Sequence, residues 1–409
     1  MYHAHRKCRA CNGTDLVPVL DLGTQPLAND FRRPGEECAG MAPLAVLLCR
    51  RCSLAQLSVV VNPQVMYANY SYVTSKSETM KEHFEVVLDE FAQETWRSKE
   101  LLEIGSNDGT FLLKAAERFK VLGFEPASNL SALAIERGVR TINRLFDESN
   151  AAELAATGYK ADVIVARHVF CHVDYWQGFI RALELVSHKD TLVFIEVPYV
   201  KDMFKNASAD QCYHEHLSYM SVLAMVHLLA GTKFKLHKII PYEIHGGAIG
   251  IMLRHVEHEG MADVSVDQYT VVESVESLEA GWRCLAQKMQ RNCGDLMKLV
   301  SACRGKVICG FGASAKATVF INACRFTKQD IAFVCDSTRQ KQGCLVPGTD
   351  IGVVPETRLA WCKTEISEKE WITPDYAIIF AWNFASEIMS KNKDFKGRWI
   401  IPCPEVKIL

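Results

Sequence analysis

The sequence predicts an α/β protein in three parts: a small cysteine-built module, then two units of parallel sheet wound with helices. Three observations carry that reading. Two Cys-x-x-Cys pairs stand at Cys8/Cys11 and Cys49/Cys52. From residue 100 onward, apolar strand segments alternate with helical ones, the pattern of a doubly wound sheet. Past residue 303 the alternation begins again.

A chain of 409 residues suits two or three domains, each able to bury its own core. Charge is balanced, with 46 Lys and Arg against 48 Asp and Glu, and no long run of one sign. Neither a nucleic acid nor a membrane is therefore an expected partner. The start, MYHAHRKCRACNG, has no apolar stretch of signal-peptide length. The longest apolar-looking window, VICGFGASAKATVFINAC (307–324), holds Lys316 and two glycines and reads as strand, turn and helix rather than a membrane span. A cytoplasmic monomer is the expectation.

The module at residues 1–62 rests on its cysteines. The chain has 16 of them and no secretion signal, so a disulfide framework is not expected. Each Cys-x-x-Cys pair places two thiolates on one tight turn, and two such turns close a tetrahedral zinc site. The 37 residues between Cys11 and Cys49 leave room for a hairpin between the knuckles. Four thiolate ligands, Cys8, Cys11, Cys49 and Cys52, leave no open coordination position. The expected zinc is structural, not catalytic.

In the central unit (63–260), helical periodicity runs through Met80, Phe84, Val87 and Phe91. Strand ELLEIG (100–105), helix TFLLKAAERF (110–119), strand KVLGFEPA (120–127), helix NLSALAIERG (129–138), and strands ADVIVARHVF (161–170) and TLVFIEVPY (191–199) follow. A long amphipathic connector is expected over 261–302. The last unit, 303–409, restarts the alternation with KVICGFGASAKA and closes with RWIIPCPEV.

Two glycine turns follow strands. In LLEIGSNDGTFLL (101–113), Gly105 and Gly109 let the backbone approach a ligand, although Gly-x-Gly-x-x-Gly is absent. Glu103 and Asp108 suit a ligand bearing an amino group, and Glu125, one βα unit later, can accept ribose hydroxyls. The set Glu103, Gly105, Asn107, Asp108, Gly109 and Glu125 resembles the S-adenosylmethionine site of class I methyltransferases, with Asn107 where a middle glycine is commoner; the other reading is a bare α/β turn. In KVICGFGASAKA (306–317), Gly312 and Lys316 at a helix start suit a diphosphate, with Asp336 and Lys341 further on. The other reading of this second turn is a nucleotide fold that binds nothing.

The stretch DQCYHEHLSYM (210–220) follows the strand TLVFIEVPY and so lies past the carboxyl edge of the first sheet, where ligands bind. Taken alone, two histidines in a turn are a solvated loop. Their location argues otherwise, as do His172 in HVFCHV and His245 with Gly246 and Gly247 in PYEIHGGAIGIML. The glycines let backbone approach a ligand or mark a β-bulge.

The ordered motifs CxxC…CxxC, EIGSNDG, GFEP, CHV, YHEH, HGG, GFGASAKA, DST, KQ and FAWNFASEI span nearly the whole chain. In that order they resemble the S-adenosylmethionine-dependent sugar C-methyltransferases of branched deoxysugar biosynthesis. The resemblance implies a zinc-binding domain, a class I (Rossmann-like) methyltransferase core and a Rossmann-like domain for the nucleotide-linked substrate. It also implies methylation of a dTDP- or GDP-linked 4-keto-6-deoxyhexose, at C3 in many members and at C5 in others. A base must take a proton beside the ketone, and histidine suits that task near neutral pH. By resemblance the base is His216, with Tyr213 and Glu215 beside it and His172 and Tyr70 supporting the sugar or enolate. His245, Gly246, Gly247 and Asn383 are expected to contact substrate. Two positions depart from the family pattern: His214 stands where an acid is expected, and His168 where a small polar residue such as Asn is. Competing readings are O- or N-methylation with the same cofactor, and a non-catalytic zinc-bearing scaffold.

Overall fold

The computed structural model describes residues 1–66, 74–76, 78–94, 100–259, 264–359, 362–363 and 371–409. The hairpin expected between the knuckles is present. Strand Leu16–Pro26 pairs antiparallel with Met41–Cys49, from Leu16 opposite Cys49 to Pro26 opposite Met41. In the second strand, alternate residues Ala42, Leu44, Val46 and Leu48 are buried, the period-two signature of one core-facing side. Ala55–Leu57 extends this sheet, and Ser218–Tyr219, from far along the chain, adds its outer strand.

The central sheet has seven strands. From one edge they run Phe234–Tyr242, Ala248–His255, Leu192–Pro198, Val163–Arg167, Glu100–Ile104, Lys120–Phe124 and Thr141–Ile142. Only Ala248–His255 is antiparallel to both its neighbours. Strand residues alternate between two cores: Leu101, Val163, Val165 and Phe194 face one side, and Leu102, Ile104, Ile164 and Ile195 the other. Helix Glu78–Glu94 covers the first side with Met80, Phe84, Val87, Leu88 and Phe91, the stripe expected from the sequence. Each such side chain contributes about 1.5–3 kcal/mol relative to exposure. Sequence order reverses about Glu100–Ile104, so a crevice opens past the carboxyl ends of that strand and Val163–Arg167.

Several elements are shorter than the sequence suggested. The helix expected over 110–119 is Thr110–Ala115, and the strand expected over 161–170 is Val163–Arg167 followed by a 3-10 turn, Phe170–His172. The expected connector is two helices, Val264–Val272 and Val275–Ala302. A capping box of Ser274 and Ser277 starts the second. Its buried stripe includes Leu278, Trp282, Leu285, Met289, Leu296 and Val300. It touches all three parts through the Arg50–Glu279 ion pair, the Phe204–Trp282 ring contact and Asn292 donating to the Pro404 carbonyl. It is a spine rather than a tether.

The C-terminal sheet runs Gly352–Val354, Phe333–Cys335, Ile308–Phe311, Tyr376–Ile379, Arg398–Ile401 and Lys407–Ile408, all parallel except the last. Its order reverses between Ile308–Phe311 and Tyr376–Ile379. The second crevice is therefore flanked by the Gly312 turn and by Ala381–Asn383.

Candidate active site

The two knuckles have the same backbone. Asn12 N–H returns to the Cys8 carbonyl and Ser53 N–H to that of Cys49, at 2.9 and 2.8 Å. Asn12 and Ser53 both take a left-handed conformation, φ 57° and 63°. The four Sγ atoms of Cys8, Cys11, Cys49 and Cys52 lie no more than 4.8 Å from one another. A tetrahedral zinc–thiolate site needs about 3.8 Å between sulfurs, so the set fits zinc with small adjustments.

The first glycine turn is built for close approach. Gly105 has φ 69°, and a Cβ there would meet Val169 Cγ2 at 2.3 Å. Asn107 adopts φ 51°, a left-handed conformation that Asn tolerates better than most residues, which explains how it replaces a glycine. Glu125 accepts the N–H groups of Asn107 and Ala127, both at 2.8 Å, and burial raises its pKa. Asp108 is held by the protein itself: it accepts from Thr110 Oγ1 at 2.7 Å and pairs with Arg137 at 3.0 Å. Glu103 pairs with Arg167 at 2.6 Å, and the guanidinium lies over the Phe84 and Phe111 rings. Burial raises Glu103 and Arg167 opposes it, leaving a pKa of about 7.

The stretch 213–216 splits into two pairs with different work. His216 Nδ1 lies 2.9 Å from the Gln211 carbonyl, which can only accept. The proton is therefore on Nδ1, and Nε2 carries the lone pair. Tyr213 Oη donates to that Nε2 at 2.7 Å. His172 meets the His216 ring edge-on with centroids 5.2 Å apart. Burial, and then the neighbouring imidazole of His172, push the His216 pKa well below the usual histidine value. Burial and then His168 lower His172 to about 4. Both rings are neutral near neutral pH.

His214 and Glu215 face the zinc module instead. His214 Nε2 lies 3.3 Å from each of the Ala42 and Pro43 carbonyls, and Glu215 Oε1 accepts from Asn29 Nδ2 at 3.0 Å. Leu57 N–H donates to the Leu217 carbonyl, and Ser53 Oγ meets Ser221 Oγ at 2.9 Å. The knuckle that holds Cys49 and Cys52 thus fastens the loop that holds His216. His168, left-handed at φ 53°, lies 2.9 Å from Glu196 Oε1, while His83 lies 2.5 Å from Oε2. Burial raises Glu196, but the two histidines outweigh it and hold its pKa low.

The second crevice meets this loop. Lys316 is half-buried, 3.3 Å from Asn383 Oδ1 and 4.7 Å from the centroid of Trp382. Trp382 Nε1 donates to Asp210 at 2.8 Å, and Lys316 and Asp210 attract each other. Asp336 takes the Ala313 and Thr338 N–H groups at 2.7 Å each, repeating what Glu125 does for the first turn. Lys341 donates to the Ala313 carbonyl at 2.7 Å. Gly246 and Gly247 are not a bulge: they end the 3-10 turn Ile244–Gly246, with φ 91° and 111°, between two antiparallel strands. A Cβ on Gly246 would meet Trp382 at 3.1 Å. A cleft of about 420 Å³ is lined by His83, Thr79, Asn383 and Glu387, and Thr79 Oγ1 donates to Glu387 across its edge at 3.4 Å.

Comparison with known proteins now bears on this arrangement. Residues 8–67 match a zinc binding domain family, 78–239 a methyltransferase domain family and 243–404 the C-methyltransferase C-terminal domain family. The chain is 29% identical over 415 residues to the C-methyltransferase NovU of Streptomyces niveus, covering 98% of this chain and 96% of that one. The chain belongs to the S-adenosylmethionine-dependent C-methyltransferases with an N-terminal zinc-binding domain. Among solved structures, the PH0226 protein of Pyrococcus horikoshii aligns at TM-score 0.37 and 10% identity, over 46% of this chain and 97% of that one. Magnesium protoporphyrin IX methyltransferase of Synechocystis aligns at 0.33 and 10%, over 43% and 79%. At these scores neither likeness bears on residue roles.

The family's methyl donor is S-adenosylmethionine, its transfer is to carbon, and its first domain binds zinc. Among the described residues no helix is long and apolar enough to cross a membrane. The structure brings Tyr213, His216 and His172 together, and it groups Lys316 with Asn383 beside Asp210. It turns Glu215 toward Asn29 and engages Asp108, Asp336 and Lys341 with their own loops. Tyr70 lies outside the described residues, and for His245 only the backbone turn is described. Sequence reasoning missed Gln211, Asn29, Arg167, Glu196 and Trp382. Their partners lie between 5 and 186 positions away, and no local spacing announces them.

Proposed function

We propose that this C-methyltransferase acts on a nucleotide-linked 4-keto-6-deoxyhexose, dTDP or GDP, and methylates the carbon beside the ketone, C3 rather than C5. His216 Nε2 is the base. The observation that carries the reading is its fixed tautomer: the Gln211 carbonyl holds the proton on Nδ1, and burial keeps the ring neutral. As the sugar enters, the Tyr213 hydroxyl leaves Nε2, and the substrate C–H takes its place. The freed hydroxyl then donates to the ketone oxygen as negative charge builds there. His172 and Tyr70 border the sugar, and Glu215 keeps the loop in place from the zinc side. S-adenosylmethionine supplies an electrophilic methyl group to the resulting carbanion equivalent. Gly105, Asn107, Gly109 and Glu125 would border the donor, with Glu103 and Asp108 holding that turn in shape.

The nucleotide lies in the second crevice, against Gly312, Lys316 and Asn383, with Asp336 and Lys341 shaping the turn. His245, Gly246 and Gly247 close the substrate space between the crevices. The proposed division is a zinc domain over 1–62, a methyltransferase core over 63–260, the helical connector over 261–302 and the nucleotide-sugar domain over 303–409. The protein works in the cytoplasm as a monomer, where such activated sugars are made. The test is mass spectrometry after incubation with S-adenosylmethionine and each nucleotide sugar. A gain of about 14 Da, one CH₂, with the new methyl on C3 by NMR, is the expected result. No gain on either sugar removes the substrate assignment.

A further inference from the structure

Cys171, His172 and His216 offer three ligand atoms, one from each residue, no more than 4.8 Å from one another. Cys171 and His172 sit on the 3-10 turn Phe170–His172, and His216 comes from the loop stapled to the zinc module. Cys171 and His216 are buried. A tetrahedral zinc ion with one thiolate and two imidazoles needs about 3.3–3.6 Å between ligand atoms, so shifts of about 1 Å complete the set. His216 is already prepared as a ligand. A metal-bound imidazole almost always donates its other N–H to a carbonyl or carboxylate, and Nδ1–H does so to Gln211. The Tyr213 hydroxyl, 2.7 Å from Nε2, holds its lone pair in the metal-free pocket and leaves it when a metal binds. One soft sulfur with two imidazoles selects zinc, cadmium or cobalt over magnesium or calcium.

We propose that this pocket is a second metal site, distinct from the four-cysteine site, which takes a thiophilic divalent cation and is inhibitory. Coordination releases the Cys171 thiol proton to solvent and forms a metal–sulfur bond. It occupies the Nε2 lone pair, so the ring can no longer accept a proton from substrate. The inhibitory consequence rests on His216 being the base; the site itself does not.

The test is a cobalt(II) titration of protein whose four-cysteine site is already filled with zinc. One further equivalent should bind, with tetrahedral d–d bands and the charge-transfer band of a single thiolate. Cys171→Ser should lose the charge-transfer band and bind cobalt about 10–100-fold more weakly. Methyl transfer by the wild type should fall in step with cobalt or zinc binding. Cys171→Ser should retain its metal-free turnover and need at least about tenfold more metal for the same inhibition. His172→Gln, followed by the cobalt spectrum alone, stands in if Cys171→Ser does not fold. Absence of the thiolate band, equal inhibition in Cys171→Ser, or turnover raised by the added metal would overturn the proposal. A wild type with no turnover on either nucleotide sugar would sink the substrate reading instead, and the cobalt spectrum would still decide this one.

Discussion

Asn29→Ala would show that the zinc module holds the catalytic loop. Asn29 Nδ2 donates to Glu215 Oε1 at 3.0 Å, and Oε2 accepts no hydrogen bond among the described residues. Glu215 is only 2% exposed. Removing the donor leaves a buried carboxyl without this partner, which costs about 1–3 kcal/mol. In a chain of this size that is a fall in Tm of a few degrees. Burial already raises the Glu215 pKa and the Asn29 hydrogen bond opposes the rise, so the variant raises it further. A carboxyl raised above its unfolded value binds its proton more tightly in the folded state. Its contribution is therefore most favourable at low pH and is lost as pH rises above about 4.5. The Tm deficit of Asn29→Ala should be larger at pH 7.5 than at pH 5. His216 adjoins Glu215 and Tyr213 lies two residues before it, and a displacement of about 1 Å near the chemistry costs roughly 10²-fold in rate. Calorimetry at both pH values and steady-state methyl transfer read the outcome. An unchanged Tm with turnover within about twofold of wild type would refute the coupling.

Three other outcomes follow. Glu125→Ala, which removes the acceptor of the Asn107 and Ala127 amides, should weaken S-adenosylhomocysteine binding by roughly 10–100-fold in calorimetric titration, about 1–3 kcal/mol. Gly105→Ala combines φ 69° with a 2.3 Å clash against Val169, and should cost about 1–3 kcal/mol or more in chemical denaturation. Because His216 is lowered well below 6.5 and His172 to about 4, kcat/KM should stay level as pH falls through 6.5. Those lowered histidines also contribute stability that is present above 6.5 and lost as pH falls toward about 4. An acid limb centred between pH 6.5 and 7 would contradict the neutral-ring account.

What was legible in the sequence was local. The CxxC pairs gave the knuckles, the apolar stripe at Met80, Phe84, Val87 and Phe91 gave its helix, and the alternating segments gave both sheets. Asp108 and Asp336 looked like ligand contacts because acids after glycine turns have that chemistry. Their hydrogen bonds also fasten the turns, a role set by backbone amides that sequence spacing does not reveal. Glu215 read as a neighbour of the base because it adjoins His216. Residues 213–216 instead form a turn closed by His216 N–H on the Tyr213 carbonyl, which aims Glu215 at the module behind it, where Asn29 waits. The outer strand Ser218–Tyr219 was invisible for the same reason: its partner lies more than 160 positions earlier. His214, out of pattern with the family, is explained by the carbonyls of Ala42 and Pro43 that its ring meets.

The central claim is that His216 removes a proton from the carbon beside the ketone, and it can be read without methyl transfer. The nucleotide sugar is incubated in D₂O with S-adenosylhomocysteine in place of the donor, using wild type and His216→Asn, and deuterium uptake is followed by NMR. The wild type should exchange the proton next to the ketone, while His216→Asn should lose exchange by roughly 10²–10⁴-fold with S-adenosylhomocysteine affinity preserved. Exchange at the wild-type rate in His216→Asn would contradict the account.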